Sequence, residues 1–461
     1  MSEAPVVEQF VAPVDDPTGD TGGPIRGSLV WATWALFVGL GVMVAGAGLF
    51  ATTVGIRAEG EGFPTVAIGA MSAGYYLGFL LGSRAALYVL TTVGHIRVYT
   101  ALAAMLTVVI LVSGMVVHPA AWIALRMLAG ACLAGQYVVA ESWLNQIVTN
   151  DQRARVLGFY TLVTVVPYGV GQLGVGVFDP ATLTIFAVAA ILISVAVTPV
   201  SLSAAAAPPL HLSSQKMTLR ELFRLVPTGV ITSLLVGIAH GAFIGLGAVY
   251  GARVGLSAAE VGVFVTMPTL GSLLLQIPIA GASDRIDRRV VGAASAAVAA
   301  AGAAGLLVAG ADNVVGLAAM VLIGGTTYPL YSIAGAYTND WVPAARLTAV
   351  AAQLVVVYGA GAFAGPLIAS TIMGVVGDDG YVWTVLIAHL AIALYLAARV
   401  AQAPAGVRAK PWNDVALTER ALYVPATVAS MGRRLRRTTR TPRRRRGQAP
   451  SGTTGGGTQQ P

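Results

Sequence analysis

The chain has 461 residues, of which 56% are hydrophobic and only 10% charged, with 55 glycines and a mean hydropathy of +0.76. An ordinary water-soluble domain carries about 25% charged residues, so that class is excluded. The formal charge of +8 is unevenly placed: residues 401–461 hold twelve Arg or Lys against two acids and carry +10, while the first 400 residues, with sixteen basic and eighteen acidic, carry −2.

Residues 1–28 read as an acidic tail. Glu3, Glu8, Asp15, Asp16 and Asp20 stand where a cleavable signal needs basic residues, so the first apolar run is expected to remain in the mature protein. Crossing a bilayer as a helix takes about 20 mostly apolar residues. Twelve runs of that kind follow in order: 29–53, 64–88, 96–117, 121–146, 153–177, 182–202, 226–250, 258–280, 290–310, 313–338, 346–372 and 381–400. The longest internal connection, 203–225, contains Pro208 and Pro209 and divides a six-helix unit over 29–202 from a second over 226–400. The remainder, 401–461, is expected to be a disordered basic tail.

Within the first 400 residues the basic side chains are sorted by side. Arg26, Arg84, Arg97, Arg153, Arg155, Lys216, Arg220, Arg224, Arg285, Arg288, Arg289, Arg346 and Arg399 fall on one face, and only Arg57 and Arg253 on the other. The positive-inside rule puts both termini in the cytoplasm, as a multi-pass protein of the cytoplasmic (inner) membrane. Nine arginines between Arg433 and Arg446 follow the last span. A terminal run of this kind on a greasy body points to anionic lipid headgroups rather than nucleic acid. The single cysteine, Cys132, excludes an intrachain disulfide.

The two units resemble one another. Gly55-Ile56-Arg57 recurs as Gly251-Ala252-Arg253, and Arg97, Tyr137 and Arg155 match Arg288, Tyr328 and Arg346 at a common spacing of 191. The expected fold is an all-α membrane protein of twelve transmembrane helices in two parallel-repeat six-helix bundles. Gly74, Gly78 and Gly82, four apart, and Gly361 and Gly365 are spaced for close helix packing. Gln136, Gln172, Gln276 and Gln353 are expected to form interhelical hydrogen bonds.

The loop Ser283-Asp284-Arg285-Ile286-Asp287-Arg288-Arg289 is similar to the signature loop G-x-x-x-D-R-x-G-R-R of the major facilitator superfamily, with Ala280 and Asp287 in place of its glycines. A degenerate first copy is carried by Gly82-Ser83-Arg84 and Gly94-His95-Ile96-Arg97, without the aspartate. Arg126-Met127-Leu128-Ala129-Gly130 resembles the R-x-x-x-G of that family's fourth helix. Gly361-Ala362-Phe363-Ala364-Gly365-Pro366 resembles its G-x-x-x-G-P antiporter motif, although here the motif sits on span eleven rather than five. More narrowly, Val93 to Arg97, Val139 to Asn145 and Ser283 to Arg289 resemble the YcaD-like bacterial carriers. The resemblance implies the major facilitator fold, a cavity lined by spans one, four, seven and ten, and a cytoplasmic gate built from Arg84, Arg97, Asp284, Arg285, Arg288 and Arg289.

Span four holds two ionisable residues in an apolar run. At about 100° per residue Arg126, Gly130, Tyr137, Glu141 and Asn145 share one face. Intramembrane charge is costly and turns toward a cavity or a partner. Arg126 reads as an anchor for an anionic substrate or partner of a coupling acid, or as a base snorkelling to the headgroups. Glu141 reads as a proton-coupling carboxylate, or as the ion-pair partner of Arg84 or Arg97. His240, in the middle of span seven, is a candidate coupling or substrate contact, or a neutral packing group. On span ten Tyr328 and Tyr331, near Thr327, Ser332 and Tyr337, suit a mixed apolar and polar cargo, although tyrosines also bury well when the hydroxyl finds a partner.

No G-x-x-x-x-G-K-[ST] loop occurs and the chain has only two lysines, Lys216 and Lys410, so ATP is not the expected energy source. No H-E-x-x-H or Cys/His cluster marks a metal site. The function expected is secondary active transport of a small solute by alternating access, proton-coupled, monomeric and without a cofactor, with export favoured over uptake. The alternative is a polytopic lipid-handling scaffold or intramembrane enzyme, for which the sequence offers no nucleophile and base pair.

Overall fold

The computed structural model describes residues 25–147, 153–202, 217–343 and 346–402. The acidic tail up to residue 24, most of the 203–225 connection and the Arg433 to Arg446 run lie outside the described residues. The first half consists of α1 (Ile25–Gly60), α2 (Thr65–Val93), α3 (His95–Met115), α4 (Pro119–Ile147), α5 (Arg153–Leu173) and α6 (Leu183–Ser201). After a short helix α7 (Leu219–Leu225), the second half consists of α8 (Pro227–Arg253), α9 (Ala258–Ser283), α10 (Arg288–Ala309), α11 (Val314–Asn339), α12 (Leu347–Val376) and α13 (Gly380–Gln402). Among the described residues eleven helices are long and apolar enough to span a membrane. The remaining long helix is α5, which opens on Arg153 and Arg155 and carries Thr161, Thr164, Pro167 and Gln172.

Helix boundaries follow local chemistry that hydropathy does not register. Ser257 caps α9 by accepting from Glu260 N while the Glu260 carboxylate accepts from Ser257 N at 2.8 Å, a reciprocal capping box. Asn313 accepts from the amides of Val315 and Gly316 at the start of α11. At Gly94, φ of 90° lets α2 turn directly into α3, a conformation that a side chain resists. Two expectations are corrected. The connection 203–225 ends in α7, where Thr218 accepts from Glu221 N at 3.2 Å. Span five stops at Leu173 and continues as a 3₁₀ turn over Gly174–Gly176.

Each half closes on itself. In the first, α2 packs on α4, α1 on α5 and α6, and α3 on α4 and α6; in the second, α9 packs on α11, α8 on α12 and α13, and α10 on α11 and α13. The halves meet through α2 with α12, α5 with α9 and α1 with α8.

Glycines set the closest approaches. A Cβ on Gly78 or Gly82 would overlap the α4 backbone at Met127 or Ala131, and one on Gly130 would overlap the carbonyl of Tyr75. The two-fold repeat is visible at this level. In the first half Gly48 meets the carbonyl of Tyr168 and Gly171 that of Ala45; in the second Gly237 meets the carbonyl of Tyr358 and Gly361 that of Leu234. The G-x-x-x-G-P segment of α12 is therefore the second-half copy of an α1–α5 packing contact, and Gly365 extends it against Ile238. Helix alternation gathers Arg84, Arg97, Arg285, Arg288, Arg289, Arg346 and Arg399 at one end of the bundle and Arg57 and Arg253 at the other.

Candidate functional site

Between the halves lie two adjoining cavities of about 110 and about 60 Å³. The larger is walled by Tyr75, Tyr76 and Phe79 of α2, Thr164 and Tyr168 of α5, His240 and Ile244 of α8, Thr269 of α9, Tyr328 of α11 and Tyr358 of α12. The smaller shares Tyr75, Tyr76, Tyr168 and Ile244 and adds Thr52, Ser72, Arg126, Gln172 and Ala248. The two adjoin across these four shared side chains, and together they are called the central passage. Among the described residues no Asp, Glu or Lys lines either part. The walls come mainly from α1, α2, α5, α8 and α12, with two residues from α9 and one each from α4 and α11, so of the expected spans one, four, seven and ten, one and seven contribute broadly and four and ten by a single residue each.

The shared face of α4 separates along its length. Arg126 reaches the smaller cavity, its guanidinium 4.6 Å from the centre of the Tyr75 ring and 5.6 Å from that of Phe50. No described carboxylate lies at ion-pair distance from it. Tyr137 is buried against Phe79, with ring centres 6.3 Å apart, and lies outside both cavities. Glu141, fifteen residues from Arg126 and about 22 Å along the helix, accepts from the Tyr160 hydroxyl at 3.0 Å. No described arginine pairs with it: Arg84 and Arg97 are exposed and make no ion pair among the described residues. Helical phase places residues around an axis, but the tight α2–α4 contact at Gly78 and Gly130 turns the middle of that face into packing.

His240 is brought to the larger cavity. Its Nδ1 lies 2.7 Å from the Tyr358 hydroxyl and its ring 4.7 Å from that of Tyr328, while its buried Nε2 has no partner among the described residues. Tyr331 is not part of the wall; it is buried and packs on the far side of Tyr358, centres 4.7 Å apart. Thr327 bonds His389 at 2.8 Å, tying α11 to α13. Of the four glutamines, Gln353 does cross between elements, donating to Met217 O at 2.8 Å. Gln276 accepts from Ser272 of its own helix, and Gln136 is buried with neither amide atom bonded. The sequence reading missed Tyr75, Tyr76, Tyr168 and Tyr358. The last two sit at corresponding glycine-facing positions of the two halves, a relation that only the folded structure displays.

At the arginine-rich end, Arg288 is a hub. It is 6% exposed, pairs with Asp340 at 2.7 Å and Asp284 at 3.6 Å, and donates to the Ser283 carbonyl and hydroxyl, which joins α9, α10 and the end of α11. Burial raises the Asp340 carboxyl above its ordinary range, against the pull of the Arg288 charge. Arg289 folds back on Asp287 at 2.7 Å, holding that carboxyl below its ordinary range, and donates to Arg399 O. Arg285 is exposed. At the arginine-poor end, Arg57 pairs with Glu61 at 2.6 Å and donates to Ala181 O. Arg253 crosses between the halves, reaching Glu59 at 2.8 Å and Thr65 at 2.9 Å, and lies 3.7 Å from Asp378 of its own half.

Two bundles of six spans, related by a repeat and enclosing a cavity at their interface, are matched by known proteins. The profile described as Major Facilitator Superfamily matches residues 230–439. Over that stretch the chain is similar to the major facilitator superfamily. Among its relatives are uncharacterised MFS-type transporters of Yersinia enterocolitica, 27% identical over 75% of this chain and 89% of the relative, and of Escherichia coli, the protein YcaD, 25% identical over the same shares. The nucleoside transporter NupG superposes with a TM-score of 0.66 at 14% identity, covering 80% of this chain and 98% of its own. A bacterial homologue of the human lysosomal transporter Spinster, solved inward-facing and occupied, gives 0.62 at 14% identity over 82% and 96%. The profile, the relatives and the fold together support a multi-pass membrane transporter rather than an enzyme.

Proposed function

We propose that the chain is a proton-coupled secondary transporter of the inner membrane, working as a monomer, that exports a small solute by rocking its two halves about the central passage. The arginine-rich end and both termini face the cytoplasm in this reading, following the sorted basic residues. The observation that carries it is the placement of contacts between the halves. Ser72 donates to Gly245 O, Thr266 to Gly169 O and Arg253 to Glu59 and Thr65, all toward the arginine-poor end. That pattern fits a state closed outward and open to the cytoplasm. Arg288, Asp284 and Asp340 would brace the cytoplasmic ends of α9 to α11, leaving Arg84, Arg97 and Arg285 for contacts made in the opposite state. Export as the direction rests on the G-x-x-x-G-P resemblance in α12.

Glu141 supports the coupling. A carboxylate inside a span whose described partner is a neutral hydroxyl is not locked in its charged form, as one paired with arginine would be. The test is flux in proteoliposomes under an imposed proton gradient, over a panel of small organic acids, amines and neutral solutes, with the gradient in each direction. Wild type should accumulate a solute against its own gradient, and Glu141→Gln should retain exchange while losing the response to the proton gradient. Full gradient-driven accumulation by Glu141→Gln would remove the residue from coupling.

A further inference from the structure

The walls of the passage specify a kind of cargo. Arg126 is a permanent cation set within a span, and the described structure gives it two aromatic rings and no acid. Glu141 is about 22 Å away along the same helix, too far to neutralise it. Such a charge is costly to hold in a membrane unless something of opposite sign reaches it. Since among the described residues no carboxylate or lysine lines the passage, the site as a whole is positive, which disfavours cationic solutes and leaves a neutral one with no use for the guanidinium.

Size and shape narrow the class further. A cavity of roughly 150 Å³ holds one benzene ring, and the two parts here, about 110 and about 60 Å³, are of that order together. Tyr75, Tyr76, Tyr168 and Tyr328 line this space, and aromatic walls favour a flat, partly apolar body. From the Arg126 level, marked on α8 by Ala248, to His240 is eight residues, about 12 Å of helix rise. That length suits a compact acid lying along the passage, its far end beside His240.

We propose that the passage binds a monocyclic or bicyclic aromatic carboxylate, the carboxylate paired with Arg126 and the ring held among the tyrosines. Arg126 suits this role because its planar fork can take both carboxylate oxygens at once. The proposal rests on the transporter reading for its meaning but is tested by binding alone.

The probes are benzoate and indole-3-carboxylate, set against benzamide and benzylamine, titrated calorimetrically into the full-length chain in lipid nanodiscs. Each acid should bind at least about tenfold more tightly than benzamide or benzylamine. Arg126→Gln should abolish that preference, and Arg126→Lys should keep part of it, with melting temperatures recording that both variants are folded. Equal or tighter binding of the amide or amine to wild type, no binding of either acid at millimolar concentration, or undiminished acid binding by a folded Arg126→Gln would each overturn the proposal. The wild-type comparison decides even if both variants fail to fold. Acid binding without flux in proteoliposomes would leave the site standing and sink the transport reading; flux restricted to amines or neutral solutes would do the reverse.

Discussion

Gly130 and Gly78 put the backbones of α4 and α2 in contact at the height of the passage, so a side chain at either has nowhere to go. Its Cβ would overlap the carbonyl of Tyr75 or of Met127, which are backbone atoms that a rotamer change cannot move. Overpacking of this kind costs about 1–3 kcal/mol in tightly packed interiors. Gly130→Val is therefore expected to lower the melting temperature in detergent and, by pushing α4 outward, to weaken whatever binds beside Arg126. Gly281, with open space around its Cβ position, provides the control: Gly281→Ala should leave the melting temperature the same or slightly higher. At this scale the sequence is informative where a residue is out of place. Arg126 stands out because it is charged in an apolar run, and the glycines because they recur every fourth residue. Tyr168 and Tyr358 do not stand out, because a tyrosine facing a cavity and one buried in packing, such as Tyr137 or Tyr331, present the same letter in the same surroundings.

Elements are held at the arginine-rich end by the Arg288 cluster, which converts three helix ends into one unit. Removing one partner from a buried pair leaves the other charge without compensation and costs about 3–5 kcal/mol. Asp340→Ala should fall toward the lower figure, because Asp284 remains 3.6 Å from the guanidinium. It should fray the end of α11, read as faster amide hydrogen exchange over the last turn of α11 and the first of α10, with the first half unaffected; uniform exchange would show that the pair does not brace these ends. Eleven of the long helices were legible as apolar runs, since hydropathy measures what a bilayer selects, whereas α5, with its arginines, threonines and glutamine, is the least apolar of the twelve. Helix α7 was not, being a polar seven-residue element fixed by one cap at Thr218. Asp340 was also missed, because the signature loop draws attention to Asp284 in the same loop, while the pairing with α11 exists only in three dimensions.

For the whole molecule the question is what ties the two halves together at the arginine-poor end. Among the described residues the ion pair that joins the two halves is Arg253–Glu59, and the same guanidinium reaches Thr65, so one side chain of α8 ties down both α1 and α2. The pair is partly exposed, 16% and 26% at the two side chains, and pairs in such positions are worth about 1 kcal/mol or less. Against a total stability that would be small. Against the balance between two access states it is not, because a contact made in only one state shifts their ratio by its full value, and 1 kcal/mol is about fivefold. Glu59→Gln removes the charge while keeping a hydrogen-bond acceptor for Arg253, so it should leave folding intact and raise the population open at the arginine-poor end. A cysteine placed at Ala248, in a background with Cys132→Ala, reports this directly, since it lines the passage below the latch. Its alkylation by a membrane-impermeant maleimide added on the side of the arginine-poor end should be up to about fivefold faster in Glu59→Gln than with Glu59 intact. Moderate salt should accelerate the reaction with Glu59 intact and have little effect on the variant, because screening acts on the pair that the substitution has already removed. An unchanged rate would mean that the apolar contacts of Gly55 with Ala248 and of Gly176 with Ala259 hold the end closed without the latch.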